Sequence, residues 1–306
     1  MHGFSYHEQL LLLFSTPFYI IIIGTEILLS NFHFHKKTYT LRNTLTNIYL
    51  TMANGLVDMA FKLSYLWVLV QVYNHRLFPP LENGIVYWLL LLVLEDFVYY
   101  WLHRFDHTTR FLWAVHVTHH SSQKFNFSVG FRSSVFEPLY RFIFFMPLAW
   151  IGFRPLDIFL MYSATQIWGT LVHTELVGKL GWLEAVFVTP SHHRVHHSSN
   201  PKYLDKNMGM FLIIWDRLFG TFQKELSENE YAPIQYGLTK NLENPNPFTL
   251  IFHEWIQVCK DVSKKGLNWK QRMGYLFGPP GYSHDGSRKT SRQMEKEEEQ
   301  AQLSSK

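Results

Sequence analysis

Cysteine is almost missing from this chain: of its 306 residues, only Cys259 carries a thiol. That excludes an intramolecular disulfide and any metal cage built from thiolates. It fits chemistry on a reducing, cytoplasmic side of a membrane. A strong charge of one sign is missing too. The formal net charge of +4 makes no case for nucleic acid binding, and surplus Lys and Arg beside apolar runs mark loops near anionic lipid. The start, MHGFSYHEQ, lacks the basic region of a signal peptide and no small-residue cleavage site follows, so the apolar run after it reads as an anchor. No repeat of solenoid period occurs.

Long apolar runs are abundant in the first 175 residues. Leu10 to Leu29 is about the length needed to cross a bilayer core. A second stretch runs from about Leu50 to Tyr73 and carries Asp58 and Lys62, four apart on one helical face, where pairing would lower the cost of charge in lipid. A third begins at Ile85. The fourth and fifth, roughly Val135 to Ile151 and Leu156 to Val172, are split by the turn signal Gly152-Phe153-Arg154-Pro155. Each of that pair is short, so a re-entrant hairpin and two full spans are both open.

Lys36, Lys37 and Arg42 follow the first run, and positive charge favours the cytoplasmic face. The second span then leaves and the third returns. A helix from Ile85 has travelled about 27 Å by His103, nearly the hydrocarbon thickness. The expected fold is therefore an all-α integral membrane protein: four or five transmembrane or re-entrant helices under a cytoplasmic helical cap that holds a histidine-rich di-metal site. Residues 1–80 read as anchor helices, 81–225 as the catalytic region, 226–286 as a cytoplasmic C-terminal segment. Residues 287–306, polar and with an acidic run at Glu297 to Glu299, read as a disordered tail. The membrane is a bacterial inner membrane or the endoplasmic reticulum.

Ten of the 17 histidines fall between residues 103 and 197. Three clusters share a register: His103 and His107 (HxxxH), His116, His119 and His120 (HxxHH), and His193, His196 and His197 (HxxHH, with His192 just before). On helices these spacings aim the imidazoles at one face, and neutral imidazole ligates iron, zinc and copper. His173 supplies a ninth nitrogen. His193 is preferred to His192 because it completes HxxHH. Nine ligands are too many for one ion and about right for two.

A zinc hydrolase would need three ligands, an open position and a carboxylate base as in HExxH, and that motif is absent. A transporter would place ligands at mid-membrane on broken helices, whereas these lie past the helix ends. An all-histidine site for two ions at a membrane face suits redox-active iron that uses O2 on a lipid C–H bond. A zinc-dependent membrane hydrolase and a metal carrier remain the competing readings. Around the ligands, Glu175 could hydrogen-bond a ligating imidazole, Asn207 could hold a metal-bound water, and Asp106 points elsewhere by its spacing. Glu137 and Arg141 read as a paired charge, and Asp216 as a brace for the closing turn.

At these residues the chain resembles the fatty acid hydroxylase/sterol desaturase superfamily, over roughly residues 40 to 225. Within it the runs Tyr99-Tyr100-Trp101-Leu102-His103-Arg104, His173-Thr174-Glu175 and Thr189-Pro190-Ser191-His192-His193-Arg194-Val195-His196-His197 look like the alkylglycerol monooxygenase branch. So do Asp205-Lys206-Asn207 and the run Ile214 to Phe222. The resemblance implies a membrane mono-oxygenase with two iron ions and O2 as co-substrate. The lipid would be an alkylglycerol, whose ether is cleaved to fatty aldehyde and glycerol, or else a fatty acyl chain, an ornithine lipid or a sterol. The electron donor would be tetrahydrobiopterin or a ferredoxin- or cytochrome-type protein. Thr108 is a departure: the ether-cleaving animal enzyme has a glutamate directly after the second histidine of HxxxH.

Overall fold

A computed structural model describes residues 6–243 and 245–304. Residues 1–5, part of the start read above as an anchor, lie outside the described residues, as do Asn244 and the last two positions of the expected tail. Three helices are long and apolar enough to cross a membrane. The first, α1 (Tyr6–Ile27), continues through a π-helical turn, Leu28–His33, and its apolar span is Leu13–His33. The others are α2 (Leu41–Asn74), opened by Thr40, whose side chain accepts from the Asn43 N–H, and α3 (Ile85–Thr108). Large apolar side chains such as Leu13, Ile20, Ile21, Met59, Leu63, Trp67, Ile85 and Leu89 stand exposed along all three. Water would oppose so continuous an apolar surface, and lipid chains would not.

Thr109, extended at φ −116° and ψ 115°, turns the chain from α3 into α4 (Arg110–His120). The apolar pair expected after Val135 becomes α5 (Pro138–Ile151) and α6 (Pro155–Leu171). Proline opens each helix, where its missing N–H costs nothing, and Gly152 reverses the chain at φ +128°, a conformation that favours glycine. At 1.5 Å per residue these helices are about 21 and 26 Å long, short of a bilayer core of about 30 Å. Among the described residues three helices are thus long enough to cross a membrane, and the two helices of the hairpin are shorter. Leu69, Tyr87, Leu91, Phe145, Leu148, Phe153 and Ile158 form the largest apolar core, where the hairpin packs on α2 and α3.

The remaining helices build the cap: α7 (Pro190–His196), α8 (Ile214–Phe219), α9 (Pro247–Val262), α10 (Trp269–Phe277) and α11 (Ser291–Ser304). No strand forms among the described residues, only isolated bridges at Phe187–Leu212 and Ser198–Tyr236. Helix α11 stands where a disordered tail was expected. Its acidic face finds partners that composition could not reveal: Glu295 pairs with Lys206 at 3.0 Å, Glu297 with Lys289 at 2.5 Å, and Glu298 accepts from the Tyr231 hydroxyl at 2.7 Å. Asp58, expected beside Lys62, also meets a partner from another helix. Asp58 pairs with Arg141 of α5 and accepts from Tyr65 at 2.7 Å, while Lys62 lies over the Phe159 ring.

Acidic residues inside apolar runs tie membrane helices to the cap. Asp96 of α3, fully buried, accepts from the backbone N–H of Phe211 (2.8 Å) and Leu212 (3.0 Å) and from the Trp215 indole (2.9 Å). Glu26 of α1 accepts from Tyr39, Thr174 and the Phe127 N–H. Asp216 braces the closing turn as its sequence context suggested, accepting from Met208 N–H, Gly209 N–H and the Thr221 hydroxyl.

Candidate metal centre

Four elements aim imidazoles at one place. His103 and His107 come from the last turns of α3, His116, His119 and His120 from α4, and His193, His196 and His197 from α7 and its cap, with His173 just past the end of α6. They form two groups whose ring nitrogens lie within 4.8 Å of one another inside each group. One holds His103, His107, His116, His120 and His196; the other holds His119, His173, His193 and His197. All nine singled out from the sequence are therefore brought together.

The second nitrogen of each ring fixes what the first can do. Nδ1 of His103 faces the Met208 carbonyl at 2.8 Å, His119 that of Arg132 at 3.1 Å, His173 that of Gly169 at 2.7 Å, and His196 that of Lys206 at 3.0 Å. A carbonyl can only accept, so each Nδ1 carries the proton and each Nε2 presents a lone pair. Those Nε2 atoms face one another: His173 meets His119 at 3.4 Å, His197 at 3.1 Å and His193 at 2.9 Å. In the five-member group, His116 Nε2 lies 3.1 Å from His103 and 3.2 Å from His120. Nε2 of His107 and of His196 are buried without a hydrogen-bond partner. Lone pairs converging without protons between them repel, unless a cation sits among them. The donor set thus fits two metal ions.

Electrostatics agree with neutral ligands. Burial pushes His116, His120, His193, His196 and His197 well below the ordinary histidine range, and the neighbouring imidazoles push further the same way. Burial likewise lowers His173, helped by His119, and takes His119 down to about 4. These rings are ready to bind a metal at neutral pH without first losing a proton.

The surrounding shell differs from the expectation. Asp106 was expected to point away, yet its buried carboxylate lies 3.8 Å from His116 Nδ1 and accepts from Tyr140 at 2.7 Å. It lies beside α4's ring rather than those of its own helix, and the Ser134 hydroxyl is nearer to the same nitrogen, at 3.4 Å. Asp205, at φ +54°, lies 3.3 Å from His107 Nδ1. Arg132, buried, donates to the Thr118 carbonyl, to Asn47 and to Ser121, which steadies the carbonyl that holds His119. Sequence reasoning missed Arg132 and Asp205; an arginine in an otherwise polar loop gives no signal alone.

Asn207 does not reach the centre. Its amide donates to the His192 and Gln223 carbonyls and accepts from the Gln223 N–H, which uses it up on backbone. His192 stands outside both groups: its Nδ1 accepts from the Thr189 N–H in a capping box for α7, and its ring packs on Phe222. Glu175 has Lys36, Arg194 and Lys124 as its charged neighbours rather than a ligating histidine. Thr108 is exposed and donates to the Arg104 carbonyl of its own helix.

Two cavities flank the histidines. One, of about 400 Å³, is walled by α1, α2, α3, α5 and α6 and touches both groups through His103, His116, His119, His173 and His193. The other, of about 670 Å³, lies under the cap and touches only the five-member group, through His107, His120 and His196.

Residues 88–221 match the family model described as fatty acid hydroxylase. The chain is 35% identical over 249 residues to alkylglycerol monooxygenase of Homo sapiens, covering 80% of this chain and 54% of that protein. It is 28% identical to an ornithine lipid hydroxylase of Rhizobium tropici, covering 72% of this chain and 70% of the relative. A sterol desaturase of Schizosaccharomyces pombe is 27% identical, with coverages of 62% and 66%. The chain spans about half the length of the alkylglycerol monooxygenases it matches. No solved structure matches.

Proposed function

Residues 88–221 belong to the fatty acid hydroxylase family, and from that premise we propose that the chain is a membrane mono-oxygenase that holds two iron ions and hydroxylates a lipid C–H bond. The observation that carries the proposal is the set of facing Nε2 lone pairs in two groups, five rings in one and four in the other. Two iron ions held there would supply the O2 chemistry that oxidises the lipid carbon. The chain's own work is to bind, orient and exclude water. His103, His107, His116, His120 and His196 would hold one ion, and His119, His173, His193 and His197 the other. Backbone carbonyls keep the proton of His103, His119, His173 and His196 on Nδ1 and so aim each Nε2 inward. The cavity walled by membrane helices touches both groups, so the lipid carbon belongs there, shielded from bulk water.

For the lipid, the relatives favour an alkylglycerol ether, cleaved after hydroxylation to fatty aldehyde and glycerol; other acyl, ornithine-lipid or sterol substrates are the alternatives. Thr108 bears little on that choice, because it is turned outward on its own helix. The cap-side cavity is the natural access for the electron donor, a reduced pterin or a ferredoxin- or cytochrome-type protein. We place the site on the cytoplasmic face, since Lys36 of the basic loop lies near Glu175, two residues from His173.

The test is metal analysis of the purified protein together with O2-dependent turnover of an alkylglycerol in the presence of reduced pterin. About two irons per chain and release of fatty aldehyde are expected. A protein holding one zinc and no iron, or turnover that persists without O2, would refute the reading.

A further inference from the structure

The helices α9 and α10 present an apolar face that the described residues leave uncovered. At about 100° per residue, Phe248, Phe252, Trp255 and Cys259 fall on one strip of α9, opposite Gln257, which lines the cap-side cavity. Phe248 is 63% exposed, and Ile256 stands exposed beside the strip. Helix α10 repeats the pattern at every fourth residue with Trp269, Met273 and Phe277, exposed by 69%, 38% and 59%. Phe111 of α4 joins the two strips, its ring 4.9 Å from that of Trp255 and 6.3 Å from that of Phe277. The outward charge is of one sign. Between Pro247 and Phe277 the exposed charged side chains are Lys260, Lys264, Lys265 and Lys270. Both carboxylates of α9, Glu254 and Asp261, turn inward onto Arg110. An exposed apolar strip edged by lysines is the pattern of a helix that lies in a membrane interface.

We propose that α9 and α10 lie along the bilayer surface on the side of the metal centre, and that their partner there is anionic phospholipid. Position selects a bilayer. Leu250 and Ile251 pack α9 against Leu50 of α2, and Ala53, Val57, Phe136 and Phe252 join that cluster. Helix α2 is long and apolar enough to cross a membrane, and its Met52 and Leu56 stand exposed in the same stretch. Leu139 and Ile143, one and two turns beyond Phe136, are exposed as well. The uncovered face of α9 therefore continues the lipid-facing surface of the membrane helices. Charge selects the lipid, because anionic head groups draw lysines to the surface and phosphate oxygens accept what ammonium groups donate. Seated there, α9 backs the helix that carries three of the nine imidazoles. It runs along α4 from Thr118, whose hydroxyl donates to the Leu250 carbonyl at 3.2 Å, to Arg110, and His116, His119 and His120 lie on that helix. This contact is independent of which lipid is oxidised.

Cys259 is the chain's only cysteine, is exposed and lies on the strip, so a nitroxide attached to it reports the depth of α9 directly. The test places the labelled full chain in lipid discs of phosphatidylcholine, with and without phosphatidylglycerol, and measures collision of the label with O2 and with a neutral nickel chelate. Glu228→Cys in a Cys259→Ser background, in the exposed turn Ser227–Glu230 of the cap, is the water-facing control. In anionic discs the Cys259 label should meet O2 more often than the control does, and nickel roughly tenfold less often, as for a helix sunk to the acyl boundary. Lys270→Gln should raise nickel access at Cys259 about fivefold, the contribution of one lysine near an anionic surface, with melting temperature and metal content unchanged. Nickel access equal to that of the control would overturn the proposal. Equal shielding with and without phosphatidylglycerol would overturn the assignment to anionic lipid. Shielding from O2 and nickel alike, with spin–spin coupling between labels, would overturn it too and give the face to a second copy of the chain.

Discussion

Asp261 offers a quantitative test of how the cap holds the metal centre in place. It is fully buried on α9 and gathers three cations: Arg110 Nη2 at 2.8 Å, Arg288 Nη2 at 2.6 Å and Lys264 Nζ at 3.0 Å. Arg110, 1% exposed, opens α4, and it also reaches Glu254 at 2.7 Å. His116 and His120 follow on the same helix about 9 and 15 Å along its axis. Asp261→Asn keeps the shape and removes the charge. Breaking a buried pair by removing one partner costs about 3–5 kcal/mol, but Glu254 still compensates Arg110. Lys264 and Arg288 are part-exposed and contribute little. The expected loss is therefore about 2–3 kcal/mol, a large share of a typical stability of about 5–15 kcal/mol. For a chain of this size it amounts to roughly 3–5 °C in melting temperature. Thermal unfolding in detergent at neutral pH would measure it, with metal content followed in parallel. Acid supplies an internal control. Burial alone would raise the Asp261 carboxyl, yet hydrogen bonds from Arg288, Lys264 and Arg110 outweigh it and hold the group well below the usual carboxylate range. A depressed carboxyl stabilises the fold above its unfolded pKa of about 3.9, and that contribution is lost as pH falls below it. The gap between wild type and variant should thus be full at pH 7 and shrink below about pH 4. A shift under about 1 °C at pH 7 would refute the cluster's role in anchoring α4.

Three further outcomes are expected. His119→Ala removes one of four nitrogens from its group while leaving the five-member group whole, so metal analysis should find a loss of about one ion per chain; loss of both, or of neither, would contradict the division into two groups. Gly209→Ala would bring a Cβ to 2.6 Å from the Leu212 carbonyl oxygen and 3.0 Å from Asp216. The neighbouring Met208 carbonyl, which holds His103, must then move, at a cost of about 1–3 kcal/mol with iron occupancy falling alongside, whereas unchanged stability and iron would mean that this loop does not position the ring. The metal-free protein should lose stability steeply as pH falls from about 6.5 towards 5, because buried rings such as His119, at about 4, stay neutral when folded and take up protons when unfolded. Each such ring contributes up to about 1.4 kcal/mol per pH unit, and a melting temperature flat over that range would show that the rings protonate freely in the folded state.

Much of this architecture can be read from local pattern, and what cannot depends on contacts between distant segments. The apolar runs specify α1, α2 and α3, and Gly152 and Pro155 specify the hairpin turn, because length, hydropathy and backbone restriction act within a few residues. Asp58 shows the limit: an i,i+4 partner was available in Lys62, but α5 brings Arg141 to the same carboxylate, and no spacing rule foresees a neighbour 83 residues away. Helix α11 shows it again, since a charged, weakly apolar segment reads as disordered until Lys206 and Tyr231 appear beside it. Asp106 failed for the same reason, its target being on the next helix.

The division of the nine histidines, by contrast, was already latent in their spacing. At about 100° per residue, positions four apart on a helix differ by about 40°, whereas positions three apart differ by about 60° in the opposite sense. His103 and His107 are four apart and share a group; so do His116 and His120, and so do His193 and His197. Each HxxHH then sends its middle histidine across: His119 leaves the group of His116 and His120, and His196 leaves that of His193 and His197. Two HxxHH motifs therefore exchange one ring each, and this exchange keeps the two groups side by side. HxxxH, having no middle histidine, serves one group only. His173, outside any motif, fills the place left open in the other. The departure of i+3 from i+4 thus turns a run of similar motifs into two ion sites. Exchanging His119 with Thr118 would turn the ring about 100° around α4, and that change alone should abolish the four-member group while the five-member group survives.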